Sequence, residues 1–294
     1  MSSPATASVD SAPLARAIAS LAASASVELT WHDTAKLASC RSTLPPRTRV
    51  FVSFVPGQTW SQTLDACIEV RRAGFDPVPH IPARELASEG ALENIASQLR
   101  LRPAVRQVLL IAGDRVSPAG PFASSLDALR SGALQRNGII DIAVAAHPEG
   151  HPRIADAELR RAEKEKAELA RASGLRLTYV TQFFFEADPF LAWVRQMRAE
   201  GIDAPLAAGI AGPASVATLA KFALRCGVGA SMRAIGARPG LATQLVGERD
   251  PGRLMRDVAQ ATLAGNLGAV GLHFYSFGGL ERTCAWLASA RRNV

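Results

Sequence analysis

Short apolar runs alternate with helical patterns along most of the 294-residue chain. The runs are rich in Val, Ile, Leu and Phe. Several are continuous rather than alternating, which is typical of parallel strands that are covered on both faces. We predict eight strands, at residues 27–30, 49–54, 76–80, 107–112, 139–145, 176–183, 205–209 and 269–275.

The segments between these runs carry the apolar spacing of helices. Asp-Pro pairs at 188–189 and 250–251 offer helix start signals, and residues 158–171 predict a highly charged helix with i,i+4 pairs. Eight strand–helix alternations predict a closed barrel or a doubly wound sheet. The strand count and the chain length favour a (β/α)8 TIM barrel. No GxGxxG follows the first strand, which argues against a dinucleotide-binding doubly wound domain.

The chain reads as a single domain, because no segment rich in Gly, Pro or Ser divides it. We expect an N-terminal helical extension over residues 1–25 and a barrel over residues 26–294. The interval between the seventh and eighth strands is about twice the others and predicts extra helices there.

Charge and composition narrow the class of partner. The net charge is +7, but the basic residues are interleaved with acidic ones and form no dense run with aromatics. This argues against nucleic acid and suits an anionic small molecule. The N-terminus lacks the pattern of a signal peptide, and no apolar run reaches the ~18 residues of a membrane span. We therefore expect a cytoplasmic protein with no membrane partner, and its oligomeric state stays open.

In such a barrel, functional groups gather at the carboxyl ends of the strands. Glu28 lies inside the first strand, where a carboxylate is costly unless it is paired or protonated. It is either a general acid with a raised pKa or a strand-end residue that faces solvent. Asp114 follows Gly113 at the end of the fourth strand. It is either a ligand contact, with the glycine allowing close approach, or a turn aspartate.

Three histidines, His80, His147 and His151, follow predicted strands. None has the helical spacing or the nearby carboxylate that is typical of a metal site, so we predict no metal and favour hydrogen bonds to a ligand or to the backbone. Gln182 precedes three phenylalanines, a setting that suits a flat heterocycle or, equally, an aromatic core strand. Phe222 has the spacing of a core residue and could also be a stacking face.

Seven segments, taken together, resemble the methylenetetrahydrofolate reductase family and occur in the family's order. The most specific are TQFFF and the HFY near the C-terminus. The segments are VSFVPG at 52–57, PHIPAR at 79–84, AGD at 112–114, AAHPEGHP at 145–152, VTQFFF at 180–185, AGI at 208–210 and HFY at 273–275.

The resemblance implies a (β/α)8 barrel that binds FAD, takes hydride from NADH or NADPH and reduces 5,10-methylenetetrahydrofolate to 5-methyltetrahydrofolate. The alternatives are the same reaction without flavin and a non-catalytic folate-binding barrel. A folate-dependent methyl transferase would need a cobalamin partner or a zinc-thiolate site, and the chain has no CxxC motif.

By position, the resemblance makes Glu28 the acid that protonates the folate nitrogen and Asp114 the carboxylate that holds the pterin near the flavin. It makes Gln182, Phe222 and Tyr275 substrate contacts. The positions it implies for the cofactor are Ser53, Phe54, His80, Gly113, Asp114, His147, His151 and Lys166.

The chain also departs from the family's usual residues, at positions 112, 147 and 279 among others. Ala112 stands where the family usually has arginine, His147 where it has tyrosine, and Gly279 where an arginine often follows HFY. One cationic flavin contact is therefore missing, and the nearest rival is a reductase that passes hydride directly from nicotinamide to folate.

Overall fold

Eight parallel strands close into a barrel in a computed structural model that describes residues 11–226, 248–265 and 267–292. The chain is a single-domain (β/α)8 barrel, as the strand pattern predicts. The strands of the barrel are β1 (Ser26–Leu29), β2 (Arg49–Val52), β3 (Asp76–Pro82), β4 (Gln107–Ile111), β5 (Asp141–Ala146), β6 (Arg176–Phe184), β7 (Leu206–Ala211) and β10 (Val270–Tyr275).

Helices follow the strands and cover the outside of the barrel. The described helices are α1 (Ser11–Ser24), α2 (Leu37–Cys40), α3 (Trp60–Arg72), α4 (Glu89–Leu101), α5 (Ser125–Arg130), α6 (Ala133–Arg136), α7 (Asp156–Ala172), α8 (Ala187–Ala199), α9 (Val216–Cys226), α10 (Gly252–Leu263) and α11 (Leu280–Arg292). Helix α1 packs outside the barrel against α10 and α11. Among the residues that the structure describes, no helix is long and apolar enough to cross a membrane.

Neighbouring strands follow chain order around the ring, and β10 pairs with β1 to close it. Extra elements fill the long interval before β10, as expected: α9, α10 and a small antiparallel pair of β8 (Ala214–Ser215) and β9 (Glu248–Arg249). Residues 227–247 of that interval lie outside the described part.

Alternate strand residues divide the core into two layers, because successive side chains point to opposite faces of a strand. In β2, Val50 and Val52 pack outward under the helices, whereas Phe51 points into the barrel. Phe51 belongs to an inner plug with Val78, Leu109, Ala143, Val180 and Ala207. The plug fills the middle of the barrel and separates its two ends.

Side-chain caps fix where several helices begin. Thr59 accepts from the Gln62 N–H at the start of α3, and Ser88 accepts from the Ala91 N–H at the start of α4. The Asp-Pro signals are less accurate. Helix α8 already begins at Ala187, so the pair at 188–189 lies in its first turn without a side-chain cap. Before α10, Asp250 accepts from the Gly252 N–H at 2.9 Å, but it lies one residue before the N-cap, which is Pro251.

Candidate active site at the carboxyl end of the barrel

Glu28 points into the barrel near the carboxyl end of β1, with its side chain 16% exposed. The Ser53 hydroxyl donates to Glu28 Oε1 at 2.6 Å. Ser53 is held there because its N–H donates to the Leu29 carbonyl at 2.9 Å, which continues the β1–β2 pairing past the end of β2. The carboxylate is therefore fixed by a short hydrogen bond from the neighbouring strand.

Two histidines from other strands approach the second oxygen of this carboxylate. His273 Nε2 lies 3.3 Å and His80 Nε2 lies 3.4 Å from Glu28 Oε2. His273 is completely buried, and its Nδ1 lies 2.9 Å from the Ser26 Oγ. His80 Nε2 is close enough to Glu28 for an ion pair but forms no hydrogen bond, and this buried nitrogen has no hydrogen-bond partner among the described residues. An unsatisfied buried nitrogen beside the carboxylate suits a ligand atom.

The expectation that the pKa of Glu28 is raised is wrong for this geometry. Burial does act to raise the pKa of Glu28, but the charge of His80 and the contacts with His273 and His80 outweigh it, so this pKa lies well below its ordinary value. Burial lowers the pKa of His273, and Glu28 only partly offsets that effect. A neutral His273 then donates from Nε2 to Glu28 and accepts from Ser26 at Nδ1.

Aromatic rings form one wall beside this carboxylate–histidine group. Tyr275 lies edge-on to His273, with ring centroids 4.8 Å apart. Phe277 stacks between Tyr275 and Phe222, at 5.5 Å and 4.1 Å, and Phe183 meets Phe277 edge-on at 4.9 Å. We call Phe183, Phe222, Tyr275 and Phe277 the aromatic wall. It includes Phe222 and Tyr275, whose role as substrate contacts stays a prediction.

Gln182 lies at an irregularity of the sheet. The register between β6 and β7 shifts between Val180 and Phe183, and such bulges often re-aim a side chain at a site. Gly209 permits the close approach, because a Cβ there would lie 2.4 Å from the Thr181 carbonyl oxygen. The Gln182 amide oxygen accepts from the Phe183 N–H at 3.1 Å, and no residue that the structure describes accepts a hydrogen bond from its NH2 group.

A second set of polar side chains consists of His147 and His151, which follow β5, and Lys166, which lies on α7. The His147 and His151 rings meet edge-on with centroids 5.0 Å apart. Burial, His151 and Lys166 together lower the pKa of His147 to about 4. Lys166 is buried on α7, and burial lowers its pKa while Glu163 opposes this. Within the described residues the Lys166 ammonium has no ion pair, so it is available to an anionic ligand.

Asp114 is exposed at the end of β4, and Gly113 before it adopts a φ of +89°. Burial and Arg153 lower the pKa of His151, and the Asp114 charge partly opposes them. Burial raises the pKa of Cys226, and both Asp114 and Glu28 add to that effect. Cys226 thus lies within electrostatic range of both carboxylates.

The Phe54 ring packs against Trp60, with centroids 4.8 Å apart, and its role as a cofactor contact stays a prediction. Three residues that sequence reasoning did not assign belong to the site: Ser26, His273 and Phe277. The available signal was the spacing of His273 and Tyr275, which puts both on the inner face of the last strand. In the described part of the chain, no cluster of His, Cys, Asp or Glu is arranged to hold a metal ion.

The fold and this geometry define a barrel protein with a ligand site at the carboxyl ends of its strands, where a carboxylate–histidine group adjoins an aromatic wall. Residues 55–234 match the model of the methylenetetrahydrofolate reductase family. The chain belongs to the methylenetetrahydrofolate reductase family.

Relatives that carry this family's name match part of the chain. A 5,10-methylenetetrahydrofolate reductase of Pectobacterium carotovorum is 30% identical over 158 residues, 52% of this chain and 49% of the relative. The methylenetetrahydrofolate reductase (NADH) 1 of Arabidopsis thaliana is 32% identical over 133 residues, 41% of this chain and 22% of the relative. The matched region thus spans at most about half the length of these curated relatives.

A solved structure from Clostridium thermocellum shares the fold with a TM-score of 0.57, over 92% of this chain and 96% of that one. That protein binds two copies of 5-methyl-5,6,7,8-tetrahydrofolic acid. It is 13% identical to this chain, so the likeness bears on the fold alone.

Proposed function

We propose that the protein reduces 5,10-methylenetetrahydrofolate to 5-methyltetrahydrofolate, with NADH or NADPH as the source of hydride. The observation that carries this proposal is the Glu28 carboxyl group, in contact with Ser53, His80 and His273 beside the aromatic wall. The reaction needs a proton for a folate nitrogen and a surface on which a flat pterin can lie. Family membership supplies the substrate class.

Glu28 is the group that exchanges the proton with the folate nitrogen. In the ligand-free geometry it is ionised, because the histidines outweigh burial. A bound pterin excludes water from the carboxylate, and that loss of solvation raises its pKa towards the value that a proton donor needs. His273 and Ser26 lie behind Glu28 and orient it.

The remaining assigned residues position the substrate. The NH2 group of Gln182 and the carboxylate of Asp114 offer a donor and an acceptor to the pterin edge, while Phe222 and Tyr275 offer ring faces. This combination matches the pattern of donors and acceptors around a pterin ring.

The residues also fit FAD. When bound, FAD accepts hydride from the nicotinamide and returns it to the substrate. Lys166 would face its phosphates, because its buried ammonium has no ion pair among the described residues. His147, His151 and the unsatisfied nitrogen of His80 would hydrogen-bond it.

Ala112 favours a second candidate, reduction without flavin, because the family's arginine is missing there. The colour of the purified protein separates the two candidates, since bound flavin absorbs near ~450 nm. We expect a yellow protein. Colourless protein that oxidises NADH only when methylenetetrahydrofolate is present would establish the flavin-free reaction instead.

The Glu28→Gln variant tests the proton-transfer role. We expect folate reduction to fall by about 10²–10⁴-fold, the usual contribution of a positioned acid. Bleaching of the yellow protein by NADH under anaerobic conditions should continue at nearly the wild-type rate. Glu168→Gln, an exposed carboxyl on α7, is the matched control and should keep both activities. Full folate reduction by Glu28→Gln would refute the assignment, and loss of both activities would indicate misfolding.

A further inference from the structure

A cavity of about 720 Å³ opens at the amino-terminal end of the barrel, away from the candidate active site. Its wall includes the first residues of several strands, among them Arg49, Asp76, Gln107, Asp141 and Arg176. Small-molecule sites commonly have volumes of about 300–1,000 Å³. The cavity is therefore large enough for a small-molecule ligand. It lies at the end of the barrel opposite the one where the active sites of such barrels are found.

The lining of this cavity is cationic. Six arginines and three aspartates line it. Asp76 is shared by Arg47 and Arg71, and Asp141 pairs with Arg176. The acidic residues thus neutralise only one part of the wall.

Two of the cavity's arginines have a structural role at the C-terminal ends of helices. Arg71 and Arg171 lie in the last turns of α3 and α7, where a cation stabilises the negative end of a helix. Arg49 and Arg106 lie on no helix, and neither forms an ion pair with a described residue. These two guanidinium groups need another explanation.

Arg49 is the more unusual of the two. It lies two residues before Phe51 in β2, so it points into the barrel directly below the inner plug. Burial lowers its pKa, and no acidic group opposes this. A guanidinium does not lose its proton in proteins, so Arg49 keeps a partly desolvated charge. An anion in the cavity would compensate that charge.

We propose that this cavity binds a compact polyanion of the phosphate type, held by Arg49 on the floor and Arg106 on the rim. Guanidinium groups bind phosphate oxygens through paired, charge-assisted hydrogen bonds. Two guanidinium groups without acidic partners match a ligand group that carries two or more negative charges. This site is separate from the folate reaction and does not depend on it.

Calorimetric titration with inorganic pyrophosphate tests the proposal, using the full chain at constant ionic strength set with chloride. We expect saturable binding that is abolished in Arg49→Gln and weakened by about tenfold or more in Arg106→Gln. Arg195→Gln removes an exposed arginine on α8 that does not line the cavity, and it should bind as the wild type does. Arg106 is exposed, so its variant keeps the test valid if Arg49→Gln fails to fold.

Lys166→Gln distinguishes this cavity from the candidate cofactor site, where a diphosphate could also bind. We expect Lys166→Gln to retain the Arg49-dependent binding. Binding that Lys166→Gln abolishes and both arginine variants retain would overturn the proposal, because the pyrophosphate would then lie at the opposite end of the barrel. Absence of saturable binding, or equal weakening by Arg195→Gln, would overturn it as well.

Discussion

Glu163 on α7, near the candidate cofactor site, tests how burial changes the pKa of a carboxyl group and, through it, the stability of the protein. Its side chain is 7% exposed and accepts from the Trp193 indole N–H at 3.1 Å. Burial raises the pKa of Glu163 to about 7, although Trp193 and Lys166 act in the opposite direction. We predict that Glu163→Gln makes the protein more stable at alkaline pH, relative to the wild type.

The sign follows from proton binding. The folded protein holds the Glu163 proton more tightly than the unfolded chain does. The free energy of unfolding is therefore highest below the ordinary glutamate pKa and declines as pH rises towards about 7. One pH unit of displacement corresponds to about 1.4 kcal/mol, so the wild type should lose about 2–3 kcal/mol between pH 5 and pH 8. The glutamine cannot ionise, and its oxygen can still accept from Trp193.

Urea unfolding of the wild type and Glu163→Gln at pH 5 and pH 8 measures this effect. The variant should gain about 2–3 kcal/mol on the wild type between the two pH values. Glu168→Gln replaces an exposed carboxyl on the same helix and should track the wild type at both. A Glu163→Gln difference that is the same at pH 5 and pH 8 would refute the reasoning.

Three further substitutions test the packing around the site. Phe51→Ala removes a ring that is 1% exposed in the inner plug, and urea unfolding should show a loss of about 3–5 kcal/mol; a loss under about 1 kcal/mol would contradict the plug. Gly113→Ala forces a side chain into a φ of +89° and 2.8 Å from the Pro82 Cβ. It should cost about 1–3 kcal/mol, measured by thermal unfolding, and unchanged stability would exclude this backbone geometry. Tyr275→Phe removes the 2.9 Å hydrogen bond to the Thr181 carbonyl and should cost about 0.5–1.5 kcal/mol. It should also raise the KM for folate more than it lowers kcat, and an unchanged KM would argue against a substrate contact.

The barrel could be predicted from the sequence because its strands are buried on both faces. The runs at 107–112 and 139–145 are apolar except for Gln107 and Asp141, as expected for parallel strands covered on both faces. The predicted strand ends differ from the observed ones by up to two residues, because the apolar pattern does not show where the hydrogen bonds between strands stop. The start of α8 was misplaced for a related reason: Asp188 can stabilise a first turn without capping it.

The candidate site could be predicted only in part, because its charges depend on contacts between distant strands. Glu28 was singled out correctly as a buried carboxylate, but its pKa depends on His80 and on His273, 245 residues further along the chain. The spacing of His273 and Tyr275 places His273 on the inner face of the last strand, but it does not show that His273 contacts Glu28. The bulge that positions Gln182 depends on Gly209 in the next strand. Neither the sequence of β6 nor that of β7 predicts this bulge by itself.

Strand β2 and the residue after it connect the two ends of the barrel. Alternate residues place Arg49, Phe51 and Ser53 on the same inner face, one above the other. Arg49 lines the cationic cavity, Phe51 forms part of the plug, and Ser53 holds the Glu28 carboxylate. The Arg49 charge also contributes to lowering the pKa of His273, whose ring lies 4.5 Å from that of Phe51. One apolar layer therefore separates the proposed anion site from the carboxylate–histidine group, so an anion bound at Arg49 would change the field at His273 without contacting the substrate.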